Sequence, residues 1–256
     1  MFDKNKKRII ARLDVKAPNL IKSINLEGLR KLGSPAKFAE KYYKEGVDEI
    51  IYMDVVASLY QRNGLGDIVK LTTENVFIPI TVGGGIRTAE DVENMLRCGA
   101  DKVAINTAAV SRPDLISELA NVYGSQCIVI SIEAKQTASG EWEAYTDNGR
   151  EKTGLDVVEW AKRAASLGAG EVLLTSVDRE GTRKGFDIEL TRKVSDAVNI
   201  PVIASGGMGS VKDMIDLFGA ANPEAIAIAD MLHYERLTVQ DIRRSALDSG
   251  IPVRKI

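Results

Sequence analysis

Two stretches of this chain are near-copies of one another, and their spacing limits what the chain can fold into. Ile78–Arg87 reads IPITVGGGIR, and Ile200–Gly209 reads IPVIASGGMG, 122 residues later. Each is a short apolar, β-branched run ending in a glycine turn. That is the pattern of a strand buried on both faces followed by a loop whose N–H groups can crowd an anion. The same offset of 122 relates Gly46–Ile50, ahead of Asp54, to Gly168–Val172, ahead of Ser176. An offset of 119 relates Leu13-Asp14-Val15 to Ile132-Glu133-Ala134. One offset recurring over most of the chain implies two similar halves, whereas a solenoid would repeat every few tens of residues. The chain has 256 residues, close to the roughly 250 typical of an eight-fold β/α barrel. Two half-barrels, roughly 1–122 and 123–256, fused into one TIM barrel fit the repeat.

The rest of the pattern agrees with an α/β chain of this kind. Predicted strands at 8–14, 49–54, 78–82, 102–105, 128–133, 171–176, 202–204 and 225–228 alternate with helical segments, which implies parallel strands and right-handed crossovers. Two connections are long. The polar stretch 16–33 reads as a loop and a candidate lid. In 135–152, the alternating Trp142, Ala144 and Thr146 with an Asn148-Gly149 turn suggest a β-ribbon over the barrel mouth.

Composition excludes several classes of function. A formal net charge of −2 leaves no nucleic-acid footprint. Two cysteines, Cys98 and Cys127, make no disulfide framework and suit a cytoplasmic setting. Met1–Lys7 is polar, with no apolar core of a signal peptide after it, and no run reaches the length of a membrane span. His233 is the single histidine, which argues against a multi-histidine metal site and a Ser-His-Asp triad. Neither a metal nor an organic cofactor is implied.

In a β/α barrel the strand C-terminal ends carry the chemistry. Here they present Asp14, Asp54, Gly83–Gly85, Asn106-Thr107, Glu133, Ser176 with Asp178, Ser205–Gly207 and Asp230. Any one of these acids also reads as an N-cap for the next helix. Asp14 and Glu133 end equivalent strands of the two halves, however, and so make a candidate acid–base pair. The two glycine turns would face each other and suit a substrate with a phosphate at each end. At the strand N-terminal ends stand Arg8, Glu49, Lys102 and Glu171, an alternating set of charges. On its own this set reads as a salt-bridge plug.

These residues lie in the motifs RIIARLDVK, DEIIYMDVVAS, IPITVGGGIR, GADKVAINTAAV, GAGEVLLTSVDREGT and IPVIASGGMG. Across nearly the whole chain the motifs resemble the cyclase subunit of imidazole glycerol phosphate synthase. The resemblance implies a barrel with a glutaminase partner docked at its N-terminal face as a heterodimer. Ammonia would enter through a gate formed by Arg8, Glu49, Lys102 and Glu171. At the opposite mouth it would join a bis-phosphorylated ribulosyl-formimino carboxamide ribotide, with Asp14 and Glu133 catalytic. Lys22 and Asn25 match a mobile loop after the first strand, with Lys22 as a substrate- or phosphate-binding residue. Asp54, Thr81, Gly84, Gly85, Asn106, Thr107, Thr175, Glu180, Gly181, Asp187, Ser205, Gly206, Gly207 and Asp230 match substrate and phosphate positions.

The chain departs from the family pattern at the rim. Glu133 and Glu180 stand where the family carries aspartate, Asn148 where serine is usual, and Asp230 where a phosphate-binding serine is expected. An anion facing an anion at a few ångströms is repelled by several kcal/mol at an effective dielectric of ~20. A kept gate beneath an altered rim points first to a sibling branch, in which such a barrel supplies ammonia to a separate sugar amidotransferase that makes acetamidino groups. The alternatives are the histidine-pathway cyclase itself and a non-catalytic scaffold that activates its glutaminase.

Overall fold

The computed structural model describes residues 6–57 and 64–255. Strand β1 spans Arg8–Lys16, β2 Asn19–Ile24, β3 Glu27–Gly33, β4 Glu49–Asp54, β5 Ile80–Gly83 and β6 Lys102–Ile105. Further along, β7 spans Ile128–Ala138, β8 Glu141–Thr146, β9 Glu151–Asp156, β10 Glu171–Ser176, β11 Val202–Ser205 and β12 Ala225–Ile228. Eight of these pair in parallel in the order β1, β4, β5, β6, β7, β10, β11, β12. The last pairs back to β1, and β10 pairs with β7, so the barrel is closed. Helices between the strands cover its outer face. Their buried apolar stripes meet the outward residues of the strands in one continuous core, which includes Ile9, Tyr52, Val82, Ile130, Trp160 and Leu174. A second, smaller cluster fills the interior: Ile10, Ile51, Ala104, Val129, Leu173 and Ile203 among others. No helix of the described residues is long and apolar enough to cross a membrane.

The repeat is visible in backbone detail. Gly84 and Gly206 have φ of +92° and +96°. Thr88 with Asp91 and Ser210 with Asp213 form reciprocal capping boxes at the starts of the following helices, Ala89–Arg97 and Val211–Ala220. In both halves the first strand continues past the rim into an antiparallel ribbon. In the second half this is the ribbon expected for 135–152, with β7 pairing to β8 and β8 to β9. In the first half it corrects the reading of 16–33 as a loop, because β2 pairs with β1 and β3 pairs with β2. Lys22 and Ser23 are buried there along with Leu20 and Ile21, so a strand covered on both faces carries a polar composition.

Candidate active site

At the N-terminal end of the barrel, four charged residues from four strands meet in a ring. Arg8 Nη1 donates to Glu49 Oε1 at 2.7 Å and Nη2 to Glu171 Oε1 at 2.5 Å. Lys102 Nζ donates to Glu49 Oε2 at 3.1 Å and to Glu171 Oε2 at 2.9 Å. Each cation therefore bridges both carboxylates. Burial works against the two cations, but the Glu171 and Glu49 carboxylates outweigh it and hold Arg8 and Lys102 above their ordinary pKa values. Removing one member would leave like charges facing each other in a half-dry site. The interior beyond the ring is apolar, lined by Ile10, Ile51, Val129, Leu173 and Ile203.

The opposite rim opens into a cleft of about 430 Å³ lined by Arg12, Asp54, Gly84, Gly85, Asn106, Thr107, Glu133 and Asn148 among others. Its glycine corner is enforced by packing. A Cβ on Gly84 would lie 2.2 Å from the Asp54 carbonyl oxygen, on a residue whose φ is already positive. Asp54 accepts from Val56 N–H at 3.1 Å and ties down the loop beside this corner. Asn106 Nδ2 donates to the Tyr145 carbonyl at 3.1 Å, and Thr107 Oγ1 accepts from Asp147 N–H at 3.4 Å, so the ribbon braces this side of the cleft.

Asp14 and Glu133 stand on β1 and β7, opposite each other in the strand order and on the same rim. Both are buried. Asp14 Oδ1 accepts from Arg12 Nε at 2.9 Å, while Oδ2 is buried with no hydrogen-bond partner. Burial would raise the pKa of Asp14, but Arg12 and then Lys22 outweigh it and hold the carboxyl below its usual range. Glu133 Oε2 accepts from Gly149 N–H at 2.8 Å. Burial dominates at Glu133 and pushes its pKa up to about 7. Two buried carboxyls on one rim therefore divide into one held ionised and one that titrates near neutrality, and of the two Glu133 lines the cleft.

The second glycine corner is much tighter, about 20 Å³ lined by Glu180, Gly181, Ser205, Gly206, Gly207 and Asp230. A Cβ on Gly207 would lie 2.1 Å from the Gly185 carbonyl oxygen. Buried Lys22 pairs with buried Glu180 here, so its charge is already taken. Asp230 is not left bare: Arg236 Nε lies 3.4 Å and Arg183 Nε 3.8 Å from its Oδ1. This tempers the expected repulsion at that corner. Two cations now face the anion, although Oδ1 itself is buried without a hydrogen bond. The β2–β3 hairpin closes over this side, with Asn25 N–H donating to the Glu180 carbonyl at 2.8 Å and Asn148 Nδ2 to the Leu26 carbonyl at 3.3 Å.

The model of the family described as "Histidine biosynthesis protein" matches residues 8–238. The "Imidazole glycerol phosphate synthase subunit HisF" of Legionella pneumophila is 66% identical over 206 residues, covering 80% of this chain and 97% of that protein. The protein of the same name from Alkaliphilus metalliredigens is 47% identical over 249 residues, covering 97% of this chain and 99% of its own length. This chain belongs to the histidine biosynthesis protein family. Both relatives carry the name of the histidine-pathway enzyme, so the comparisons favour that alternative over the sugar-modifying branch.

Against the family pattern, the barrel gathers the four floor residues at one end and most of the rim residues at the other. Some carried-over positions stand off the two corners. Thr81 is in register with Ile51 and Lys102, fully buried with an unpartnered hydroxyl, and it lines neither corner. Asp187 is engaged structurally, capping the helix Ile188–Ala197 through Leu190 N–H and accepting from Trp142 Nε1 at 3.0 Å. Thr175 faces inward, where it accepts from Arg12 rather than opening to the cleft. Arg12 itself was not singled out from the sequence. Strand alternation could have found it, because residues 8, 12 and 14 share one face of β1. His233 is buried against Tyr42, whose hydroxyl lies 2.7 Å from Nδ1, and burial pushes its pKa down to about 3, so it stays neutral.

Proposed function

We propose that this chain is the ammonia-using cyclase subunit of imidazole glycerol phosphate synthase. Ammonia released by a glutaminase subunit docked on the N-terminal face enters through the ring of Arg8, Glu49, Lys102 and Glu171. It crosses the apolar interior and reaches the rim. There a bis-phosphorylated ribulosyl-formimino carboxamide ribotide is cyclised and cleaved to imidazole glycerol phosphate and aminoimidazole carboxamide ribotide. The observation that carries this reading is the axial arrangement: a closed charge ring at one end, an apolar interior, and at the other a rim with buried Asp14 and a cleft lined by Glu133 and a glycine corner. Asp14 is the base, because Arg12 keeps it ionised. Glu133 is the acid, because burial keeps its proton on near neutrality. Gly84 and Gly85 with Asn106 and Thr107 hold one phosphate. Gly181 and Ser205–Gly207 form the opposite corner. The free, half-buried Cys98 and Cys127 suit the cytoplasm.

The purified chain with a glutaminase subunit is expected to convert the bis-phosphorylated substrate to imidazole glycerol phosphate and to rescue a histidine auxotroph. Failure of both, with the chain well expressed, would overturn the histidine reading. One observation favours a second reading. Glu180 on Lys22, and Asp230 beside Arg183 and Arg236, fill the second corner with the chain's own charges. A barrel that passes ammonia to a separate sugar amidotransferase would have no need of that corner, and it would turn over the bis-phosphorylated substrate poorly.

A further inference from the structure

The barrel interior holds a cation whose full donor set none of the roles above uses. The side chain of Arg12 is 3% exposed, deep on the inward face of β1. Nε donates to Asp14 Oδ1 at 2.9 Å, and Nη1 to Thr175 Oγ1 at 2.7 Å and Ser205 Oγ at 3.2 Å. The remaining nitrogen, Nη2, has no partner among the described residues, and Arg12 lines the cleft. A buried guanidinium with an unused donor nitrogen is a donor waiting for an acceptor. Its position is as specific as its chemistry. Thr175 is on β10 and Ser205 on β11, so the side chain reaches from β1 inside the barrel past β12 to its next two strands. It lies beyond Ile10 of the apolar interior and before Asp14 of the rim, at the boundary between the path from the floor and the cleft.

We propose that Arg12 is a catalytic residue that holds the electrophilic carbonyl oxygen of a phosphorylated substrate where ammonia arrives. This rests on the ammonia-using reading above and deepens it by naming the group that activates the attacked carbon. The ammonia lone pair forms the C–N bond as the C=O π pair moves to oxygen, and Nη2 stabilises the alkoxide in a site shielded from water. Nitrogen gives one proton to Asp14, and Glu133 gives its proton to the alkoxide, forming a carbinolamine. Asp14 then returns its proton to the departing hydroxyl while Glu133 takes the second proton from nitrogen. One carbonyl and one ammonia give one imine and one water, and both carboxyls are restored. A phosphate on the Gly84–Gly85 corner anchors the molecule that presents the carbonyl.

Two probes test this on the intact protein. Ribulose 5-phosphate carries the carbonyl; arabinitol 5-phosphate lacks it. Calorimetry with inorganic phosphate as competitor compares them on the wild type, Arg12→Lys and Arg12→Met. The wild type is expected to bind the ketose phosphate at least about tenfold more tightly. Arg12→Met should bind both alike, with its alditol phosphate affinity within about twofold of the wild type, and Arg12→Lys should recover part of the preference. With ammonium chloride and cyanoborohydride, trapping of the ketose phosphate as its amine should fall by about a hundredfold or more in Arg12→Met, the scale of losing one oxyanion donor. Equal binding of the two probes to the wild type overturns the role of Arg12, and so does a preference that survives in Arg12→Met. Either leaves the ammonia-using reading standing while phosphate still competes. If neither probe binds in competition with phosphate, the cleft assignment falls as well. Should Arg12→Met fail to fold, the wild-type comparison and Arg12→Lys decide the question.

Discussion

At the scale of single residues, burial and charge separate two carboxyls that the sequence presents as a pair. Arg12 holds Asp14 ionised, while burial raises Glu133 to about 7. Glu133 ionises near its ordinary carboxylate range in the unfolded chain and only near neutrality in the folded one. Folding therefore takes up a proton between those values, and stability falls as pH rises through that window. Glu133→Gln keeps an acceptor for Gly149 N–H but cannot ionise. Its melting temperature should exceed the wild type's by a margin that grows from about pH 5 to about pH 8. A margin constant across that range would show that Glu133 is ionised throughout. Asp14 and Glu133 were legible because each ends a barrel strand in an equivalent half. Arg12 was not: alternation puts it on the face of β1 that carries Arg8 and Asp14, but nothing local shows what a buried guanidinium there would pair with. The partners that make Arg12 tolerable, Thr175 and Ser205, lie 163 and 193 residues away.

At the scale of elements, each glycine corner is set by what packs behind it. Gly84→Ala would place a Cβ 2.2 Å from the Asp54 carbonyl at a φ of +92°. The variant should lose roughly 2 kcal/mol or more of stability along with its phosphate affinity, measured by urea unfolding and phosphate titration. Gly219→Ala is the matched control. It lies in the helix Val211–Ala220 with nothing within 4 Å of the added Cβ. It should gain about 0.5–1 kcal/mol, the ordinary difference between the two residues in a helix. The glycine turns and capping boxes were readable because their chemistry is local. The β2–β3 hairpin was hidden for the opposite reason. Lys22 is polar in sequence and buried in the fold, and its partner Glu180 arrives from a distant loop. A pattern of apolar and polar residues registers side chains, not the ion pair that lets a lysine go inside.

At the scale of the whole molecule, the repeat at 122 residues foretold a closed barrel because equivalent strands must occupy equivalent places in the ring. It could not foretell that the second corner would be filled by its own ion pairs, since Glu180 meets Lys22, and Asp230 meets Arg183, only after the barrel closes. The floor is the reverse case. Arg8, Glu49, Lys102 and Glu171 are far apart in sequence, yet each stands at a strand start, and closure brings them into a single ring. Whether that ring admits nitrogen to the rim is measured most directly with the assembled glutaminase complex. The complex is given amide-¹⁵N-labelled glutamine in a bath of unlabelled ammonium, and the label in the cyclised product is read by mass spectrometry. The wild type should carry the label into nearly all of its product, whereas Lys102→Ala and Glu171→Ala should draw mainly on the unlabelled bath. Full labelling of the product in both variants would contradict passage through the ring and leave it a structural plug.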